Sequence, residues 1–140
     1  MSIQLTSEKF YTLRDKVLYA RTKAYCPYSK FFVGAVILTK DGDYVSGCNV
    51  ENSSYGGTIC AERTAVVKSI SEGIPKEDWV CLAVIGGHEK IVSPCGICRQ
   101  FLSEFVPGHF PVIMFSGDGS RHKLMTMNEL LPENFNSEFL

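Results

Sequence analysis

Three cysteines and one glutamate are the residues best suited to chemistry in this chain of 140 residues. Cys60 and Glu62 stand two positions apart, and a Cys-x-x-Cys pair, Cys95 and Cys98, begins 33 residues after Glu62. Three thiolates suit Zn²⁺, and a zinc ion with three protein ligands keeps its fourth tetrahedral position open for water. The pattern therefore predicts a zinc ion that activates water, with Glu62 moving the protons.

Two helix starts have to bring these side chains together. The second predicted helix spans about residues 58–72, with Cys60 in its first turn, and the third begins with Ser93–Pro94 just before the cysteine pair. Residues three apart share one face of a helix, so both sulfurs of that pair can reach one ion. On a regular helix, Glu62 and Cys60 would point to different sides. This difficulty is removed if the pocket lies beyond the end of the helix, where the long Glu62 side chain can bend toward the ion. Arg63 can offset the negative charge of three thiolates and donate a hydrogen bond to sulfur.

Other interpretations of the cysteines stay open at this point. A lone Cys-x-x-Cys is also typical of a redox pair or of two buried small residues. A fourth cysteine, Cys48 or Cys81, would close the zinc site and make it structural. We favour the open site because a structural zinc has no use for a missing ligand with Glu62 beside it.

Composition limits the class of protein. The length fits one domain covering residues 1–140, and 45% hydrophobic with 21% charged residues is typical of a soluble globular protein. A net charge of -1 with scattered Lys and Arg favours a small, nearly neutral substrate over nucleic acid. The first residues lack a basic segment followed by an apolar run, so we expect no export signal, and we expect no membrane span because no segment approaches ~20 apolar residues. We therefore expect a cytoplasmic address, with the nucleus left open, and reduced cysteines that bind metal.

The hydrophobic pattern predicts helices that alternate with strands. Helices are expected at about 7–25 and 58–72 and from Ser93, with a short last one started by a capping box at Thr126 and Glu129. Strands are expected at 32–38, 44–48, 79–86, 111–115 and 123–126. This order predicts an α/β fold, a three-layer domain with a mixed five-stranded sheet flanked by helices.

Five longer motifs extend over most of the chain. They are Pro-Tyr-Ser-Lys-Phe at 27–31, Val-Gly-Ala at 33–35, Gly-Cys-Asn-Val-Glu-Asn at 47–52, Cys-Ala-Glu-Arg-Thr-Ala at 60–65 and Ser-Pro-Cys-Gly-Ile-Cys-Arg-Gln at 93–100. Zinc deaminases share a His or Cys followed by x-Glu and then Pro-Cys-x-x-Cys. The whole set resembles the cytidine deaminases that act on free nucleosides, in particular the small homotetrameric type with three cysteine ligands.

The resemblance implies a reaction and its residues. Cys60, Cys95 and Cys98 would hold one Zn²⁺ per chain, and Glu62 would be the catalytic proton carrier. The reaction would be hydrolytic deamination of cytidine and 2′-deoxycytidine to uridine and 2′-deoxyuridine, with release of ammonia, in pyrimidine salvage. Arg63 would donate to a ligand sulfur.

The resemblance also implies substrate contacts. Asn49 and Glu51 would hold the ribose 3′-hydroxyl, Phe31 would contact the pyrimidine ring, and the Ala61 backbone N–H would bind O2 of the base. By residue type alone, Asn49 and Glu51 would be assigned to a solvated turn, and Phe31 to the core.

A homotetramer would let neighbouring subunits complete each other's sites. Tyr55 and Phe135 would then serve the pocket of the same or of an adjacent subunit. Two rival functions remain: a deaminase of this architecture acting on nucleic acid or a cytosine-containing antibiotic, and a zinc-stabilised binding module without catalysis. The ribose contacts expected of Asn49 and Glu51 favour a free nucleoside.

Overall fold

A mixed five-stranded sheet lies between two layers of helix in the computed structural model, which describes residues 5–140. The strands are β1 (Gly34–Thr39), β2 (Tyr44–Cys48), β3 (Trp79–Ile85), β4 (Pro111–Phe115) and β5 (His122–Thr126). The helices are α1 (Ser7–Arg21), α2 (Ala61–Ser71), α3 (Gly96–Ser103) and α4 (Met127–Leu130). The strand order is β2-β1-β3-β4-β5, with β3 and β4 parallel and the other neighbours antiparallel. The predicted three-layer α/β fold is confirmed.

Strand β1 shows why the sheet needs helices on both faces. All six of its residues are buried. Ala35 and Ile37 point into the cluster that contains the α2 side chains, whereas Val36 and Leu38 point into the cluster that contains Leu13 and Val17 of α1. Successive strand residues face opposite sides of a sheet, so a strand covered twice is apolar throughout.

Several predicted boundaries are wrong where the backbone finds a partner outside the regular element. The first helix ends at Arg21 rather than at residue 25, because Tyr25 instead pairs with the loop after β2: its N–H donates to the Asn49 carbonyl at 2.9 Å. The second helix begins at Ala61 rather than at residue 58, because Ile59 exchanges two backbone hydrogen bonds with Val50.

The predicted start of the third helix is also wrong. Ser93 and Pro94 are not its cap and first residue; the helix begins at Gly96, and Cys95 is the capping position. The first strand begins two residues later than predicted, at Gly34, because the backbone before it is hydrogen-bonded to the Asn49 side chain. The other strands agree with the prediction to within one residue, and the capping box of α4 is present.

Two expectations concern export and membrane insertion of the chain. The expectation about an export signal concerns the first residues of the chain, and residues 1–4 lie outside the described residues. From residue 5 onward, no helix has the length and apolar character needed to cross a membrane.

Two glycines allow a helix to pack close against each face of the sheet, α1 on one face and α2 on the other. A Cβ at Gly34 would lie 2.4 Å from the Val17 carbonyl oxygen in α1, and one at Gly47 would lie 2.5 Å from both the Ala61 carbonyl oxygen and the Ala65 nitrogen in α2. Real Cβ atoms do not approach backbone this closely. Since Gly47 sets the distance of α2 from β2, it also sets the position of the side chains at the start of α2.

We expect Gly47→Ala to lower the free energy of unfolding by about 1–3 kcal/mol, because the added methyl group has to push the α2 backbone away. Urea denaturation followed by circular dichroism measures this. Gly56→Ala is the matched control, since a Cβ there meets nothing within 4 Å, and it should change stability by less than about 0.5 kcal/mol. Equal stability of the two variants would contradict the close-packing argument.

Candidate active site

Cys60 and Cys95 occupy equivalent places at the starts of two helices. Each is the N-cap residue, Cys60 of α2 with φ -71° and ψ 160°, and Cys95 of α3 with φ -66° and ψ 168°. Neither side chain caps its helix, so both thiols are free to turn outward. Cys98 lies in the first turn of α3 and is buried. Because Cys60 is extended rather than helical, the expected conflict between its direction and that of Glu62 does not arise.

The three sulfurs form a group that fits a tetrahedral zinc ion. All three Sγ atoms lie within 4.8 Å of one another, and the Sγ atoms of Cys60 and Cys95 are 3.9 Å apart. Zinc bound to sulfur at ~2.3 Å in a tetrahedron separates its sulfurs by ~3.8 Å. Three sulfur donors also select zinc over hard cations such as Mg²⁺ or Ca²⁺.

The structural alternative, a site closed by a fourth cysteine, is not supported by the geometry. Among the residues from 5 to 140, no further His, Cys, Asp or Glu joins this group. Cys81 is fully buried in β3 within the cluster that packs on α1, and burial raises the pKa of its thiol to about 12. Cys48, at the end of β2, is likewise absent from the group, and burial raises the pKa of its thiol.

Arg63 lies against the ligand sulfurs. Its Nη2 is 3.3 Å from the Cys60 Sγ and 3.4 Å from the Thr58 carbonyl oxygen. The pKa of Cys60 lies well below its usual range, because Cys98 donates a hydrogen bond to it and because Arg63 adds a second bond and a positive charge. The pKa of Cys98 is raised in turn, since its proton is held between the two sulfurs. This part of the chain therefore favours negative charge on Cys60 before any metal binds.

Glu62 is a buried carboxyl group near the sulfurs. It is the second residue of α2 and only 5% exposed. Burial raises the pKa of Glu62 to about 7. A carboxyl group with this pKa can both accept and release a proton near neutral pH.

Glu62, Cys60 and Cys95 line one cavity of about 160 Å³. The cavity opens between the starts of α2 and α3 and the carboxyl end of β3. The remaining residues of its wall are Phe31, Val33, Asn49, Thr58, Ala61, Val84, Gly86, Val92 and Ser93. The structure thus brings Phe31, Asn49, Ala61 and Glu62 to one space.

The sequence assigned no role in the site to six residues of this wall. They are Val33, Thr58, Val84, Gly86, Val92 and Ser93. A signal for two of them exists: Val84 and Gly86 lie at the carboxyl end of β3, which pairs in parallel with β4. Ligands of α/β sheets bind outside the carboxyl ends of parallel strands. The parallel pairing of β3 with β4 is seen only in the structure, so the rule identifies these two residues once the fold is known and not before.

Glu51, Tyr55 and Phe135 do not line this cavity in the single chain. The Glu51 carboxylate accepts hydrogen bonds from the backbone N–H groups of Tyr28 and Ser29, each at 3.1 Å, and from the Ser29 hydroxyl. Tyr55 and Phe135 are 62% and 57% exposed.

The Asn49 side chain holds the backbone that leads from Phe31 into β1. Its Nδ2 donates to the Phe31 carbonyl oxygen at 2.7 Å, and its Oδ1 accepts from the Val33 N–H at 2.9 Å. These two bonds place the Phe31 ring at the cavity, where it is 38% exposed.

Comparison with known proteins gives a family for this arrangement. The family model of the cytidine and deoxycytidylate deaminase zinc-binding region matches residues 7–114, which include all three cysteines and Glu62. The chain belongs to this deaminase family. The cysteine group and the family's zinc-binding region agree on one zinc ion per chain.

Individual members of the deaminase family cover most of the chain. The cytidine deaminase of Sporosarcina psychrophila is 47% identical over 121 residues, which are 86% of this chain and 87% of that protein. The cytidine deaminase of Halalkalibacterium halodurans is 45% identical over 126 residues, 90% of this chain and 93% of that protein. The crystal structure of cytidine deaminase from Burkholderia pseudomallei superposes with a TM-score of 0.85 at 37% identity, covering 94% of this chain and all of that one.

We expect Cys95→Ala to lose its zinc, because two sulfurs do not hold the ion against a chelator. Metal content after dialysis against a weak chelator, measured by atomic emission, tests this. Cys48→Ala is the matched control and should keep one zinc ion per chain. Loss of zinc from Cys48→Ala as well would indicate a closed site of four cysteines.

We expect Arg63→Met to weaken zinc binding by about 10–100-fold, because the ligand sulfur loses a charge-assisted hydrogen bond. Competition with a fluorescent chelator measures the dissociation constant. Arg14→Met is the control, since Arg14 lies on α1 and bonds to the exposed Asp15. An unchanged constant in Arg63→Met would remove Arg63 from the metal centre.

Proposed function

We propose that this chain is a zinc-dependent hydrolase that converts cytidine and 2′-deoxycytidine to uridine and 2′-deoxyuridine with release of ammonia. The observation that carries the proposal is the burial of Glu62 in a cavity whose wall also contains two of the three sulfurs, Cys60 and Cys95. A carboxyl group in such a place has access to the proton of an activated water and to a bound base.

Cys60, Cys95 and Cys98 would hold the zinc ion, which would lower the pKa of a bound water from ~15.7 toward ~7 and so make a nucleophile available at neutral pH. Glu62 takes the proton of the attacking water on its carboxylate and delivers it to N3 of the base, which makes C4 electrophilic. After the water oxygen has added to C4, Glu62 takes the second proton of that water from the new C4 hydroxyl group and passes it to the amino group. The C4–N bond then breaks and ammonia leaves, so that water is consumed and the base keeps an oxygen at C4.

The start of α2 also supplies a donor for the base. Ala61 is the first helical residue, and N–H groups of a first turn have no partner inside their helix. In this proposal the Ala61 N–H binds O2 of the pyrimidine while the Phe31 ring packs against its face. Together they set C4 opposite Glu62 and the sulfurs.

In the proposed ribose contacts, Asn49 and Glu51 use hydrogen-bonding capacity that their bonds within the protein leave free. An amide nitrogen has two hydrogens, and Asn49 gives one of them to the Phe31 carbonyl oxygen. The other can donate to the ribose 3′-hydroxyl, and the Glu51 carboxylate can accept from the same hydroxyl. These contacts favour a free nucleoside over a polynucleotide, in which the 3′-oxygen is esterified.

We further propose a homotetramer in which neighbouring copies complete the sites. The cavity of about 160 Å³ in one chain is below the ~300 Å³ at which small-molecule sites usually begin. Exposed aromatic residues outside it, among them Tyr55 and Phe135, are suited to covering the site of an adjacent copy. We also propose that the reaction serves pyrimidine salvage and that the protein works in the cytoplasm, with the nucleus left open.

Replacement of Glu62 by Gln is expected to lower kcat by about 10²–10⁴-fold, because the amide no longer transfers protons. The loss of cytidine absorbance in the ultraviolet measures turnover, and zinc content should stay at one ion per chain. Glu72→Gln, an exposed change at the other end of α2, should leave the rate unchanged. Near-normal turnover in Glu62→Gln would remove Glu62 from the mechanism.

A substrate panel separates this function from its rivals. Ammonia release from cytidine, from single-stranded DNA and from a cytosine-containing antibiotic is compared under one set of conditions. We expect release from the nucleoside and none from the DNA. Zinc-containing protein that binds cytidine without releasing ammonia would favour the non-catalytic binding module.

A further inference from the structure

The hydroxyl group of Ser29 joins two residues that the proposed function assigns to substrate. Ser29 is exposed, in the loop between α1 and β1. Its Oγ donates to Oε2 of Glu51 and accepts from the Phe31 N–H at 3.0 Å, while its own N–H donates to Oε1 of Glu51 at 3.1 Å. One serine thus contacts both oxygens of the Glu51 carboxylate and the backbone of Phe31.

We propose that Ser29 is a positioning residue for ribose recognition, which acts by fixing the Glu51 carboxylate toward the ribose 3′-hydroxyl. This inference rests on the proposed function. It adds a residue to which neither the sequence motifs nor the cavity wall assigned a role, since Ser29 does not line the cavity.

Glu51 needs such a partner because its side chain is long and only half-buried. A free glutamate side chain occupies many rotamers, and ordering it costs conformational entropy on each binding event. The hydrogen bonds from Ser29 and from the Tyr28 N–H select one orientation before substrate arrives. A carboxylate has about four acceptor positions, so these three bonds leave capacity for one more donor.

The same bonds favour the ionised form of Glu51. The pKa of Glu51 lies below its usual value, first because of the Ser29 hydroxyl bond and then because of backbone bonds from Ser29 and Tyr28. An ionised carboxylate acts only as an acceptor, which suits it to a hydroxyl group that donates.

The conformation of the loop places Ser29, and not a neighbouring residue, between Glu51 and the backbone of Phe31. Lys30, the next residue, has φ 59°, in the left-handed region, and its N–H donates to the Cys26 carbonyl oxygen at 3.1 Å. This turn brings the Phe31 N–H back onto the Ser29 Oγ. Ser29 is the one residue of this turn whose side chain contacts both Glu51 and the backbone of Phe31.

Steady-state kinetics of Ser29→Ala test the proposal. We expect KM for cytidine to rise about tenfold while kcat stays within about twofold, because the lost bonds belong to binding and not to the chemical step. With 3′-deoxycytidine, which lacks the hydroxyl group in question, KM of the variant should stay within about twofold of that of the wild type. Ser29→Thr keeps the hydroxyl group and should behave like the wild type.

Two further variants complete the kinetic experiment. Ser71→Ala, an exposed change at the end of α2, controls for loss of a surface hydroxyl. Ser29→Cys has nearly the volume of the original side chain with a weaker donor, and it replaces Ser29→Ala if that variant does not fold, with the same differential rise in KM expected.

Three results would overturn the inference while leaving the proposed function standing. They are an unchanged KM for cytidine, a fall in kcat with KM unchanged, and an equal rise of KM for cytidine and 3′-deoxycytidine. If the wild-type enzyme itself releases no ammonia from cytidine, the proposed function fails and the inference with it.

Discussion

The convergence of two helix starts on three sulfurs is the constraint on which the rest of the molecule depends. Cys60 and Cys95 both stand one residue before the first helical turn, where the backbone is still extended and free N–H groups give positive potential. That placement lets the thiols turn toward a shared point, while the first residues of α2 face the cavity. The sheet supports both helices, and the contact of Gly47 with the α2 backbone sets the distance of α2 from β2.

Much of the fold could be predicted because its signals are local. The continuous apolar run in β1 and the capping box at Thr126 each depend on a few neighbouring residues, and both are found as expected. The errors share a cause that is not local. Tyr25 and Ile59 leave helical geometry because residues 49 and 50, distant in sequence, offer them backbone hydrogen bonds. A helical pattern cannot indicate such a competitor.

The residues of the candidate site likewise fall into those that local sequence predicts and those that depend on the fold. The three ligands follow from residue type and spacing, because few side chains suit zinc and their separation along the chain is characteristic. The wall of the cavity does not, since Val84 and Val92 are ordinary apolar residues. Their importance comes from their position, Val84 at the end of β3 and Val92 in the segment between β3 and α3. Asn49 combines both cases, because its amide holds the backbone near Phe31 and is also the group that we propose to contact the ribose.

The cysteines at the capping positions have a consequence for the thermodynamics of the whole protein. A helix start usually receives a hydrogen bond from Ser, Thr, Asp or Asn, and its absence costs about 0.5–2 kcal/mol. Here both α2 and α3 forgo it, so the segments that carry the reactive groups are the ones most prone to fray. An ion bound only by the folded chain stabilises it in proportion to the logarithm of free metal. Heat resistance of this enzyme is therefore tied to zinc supply in the surrounding medium.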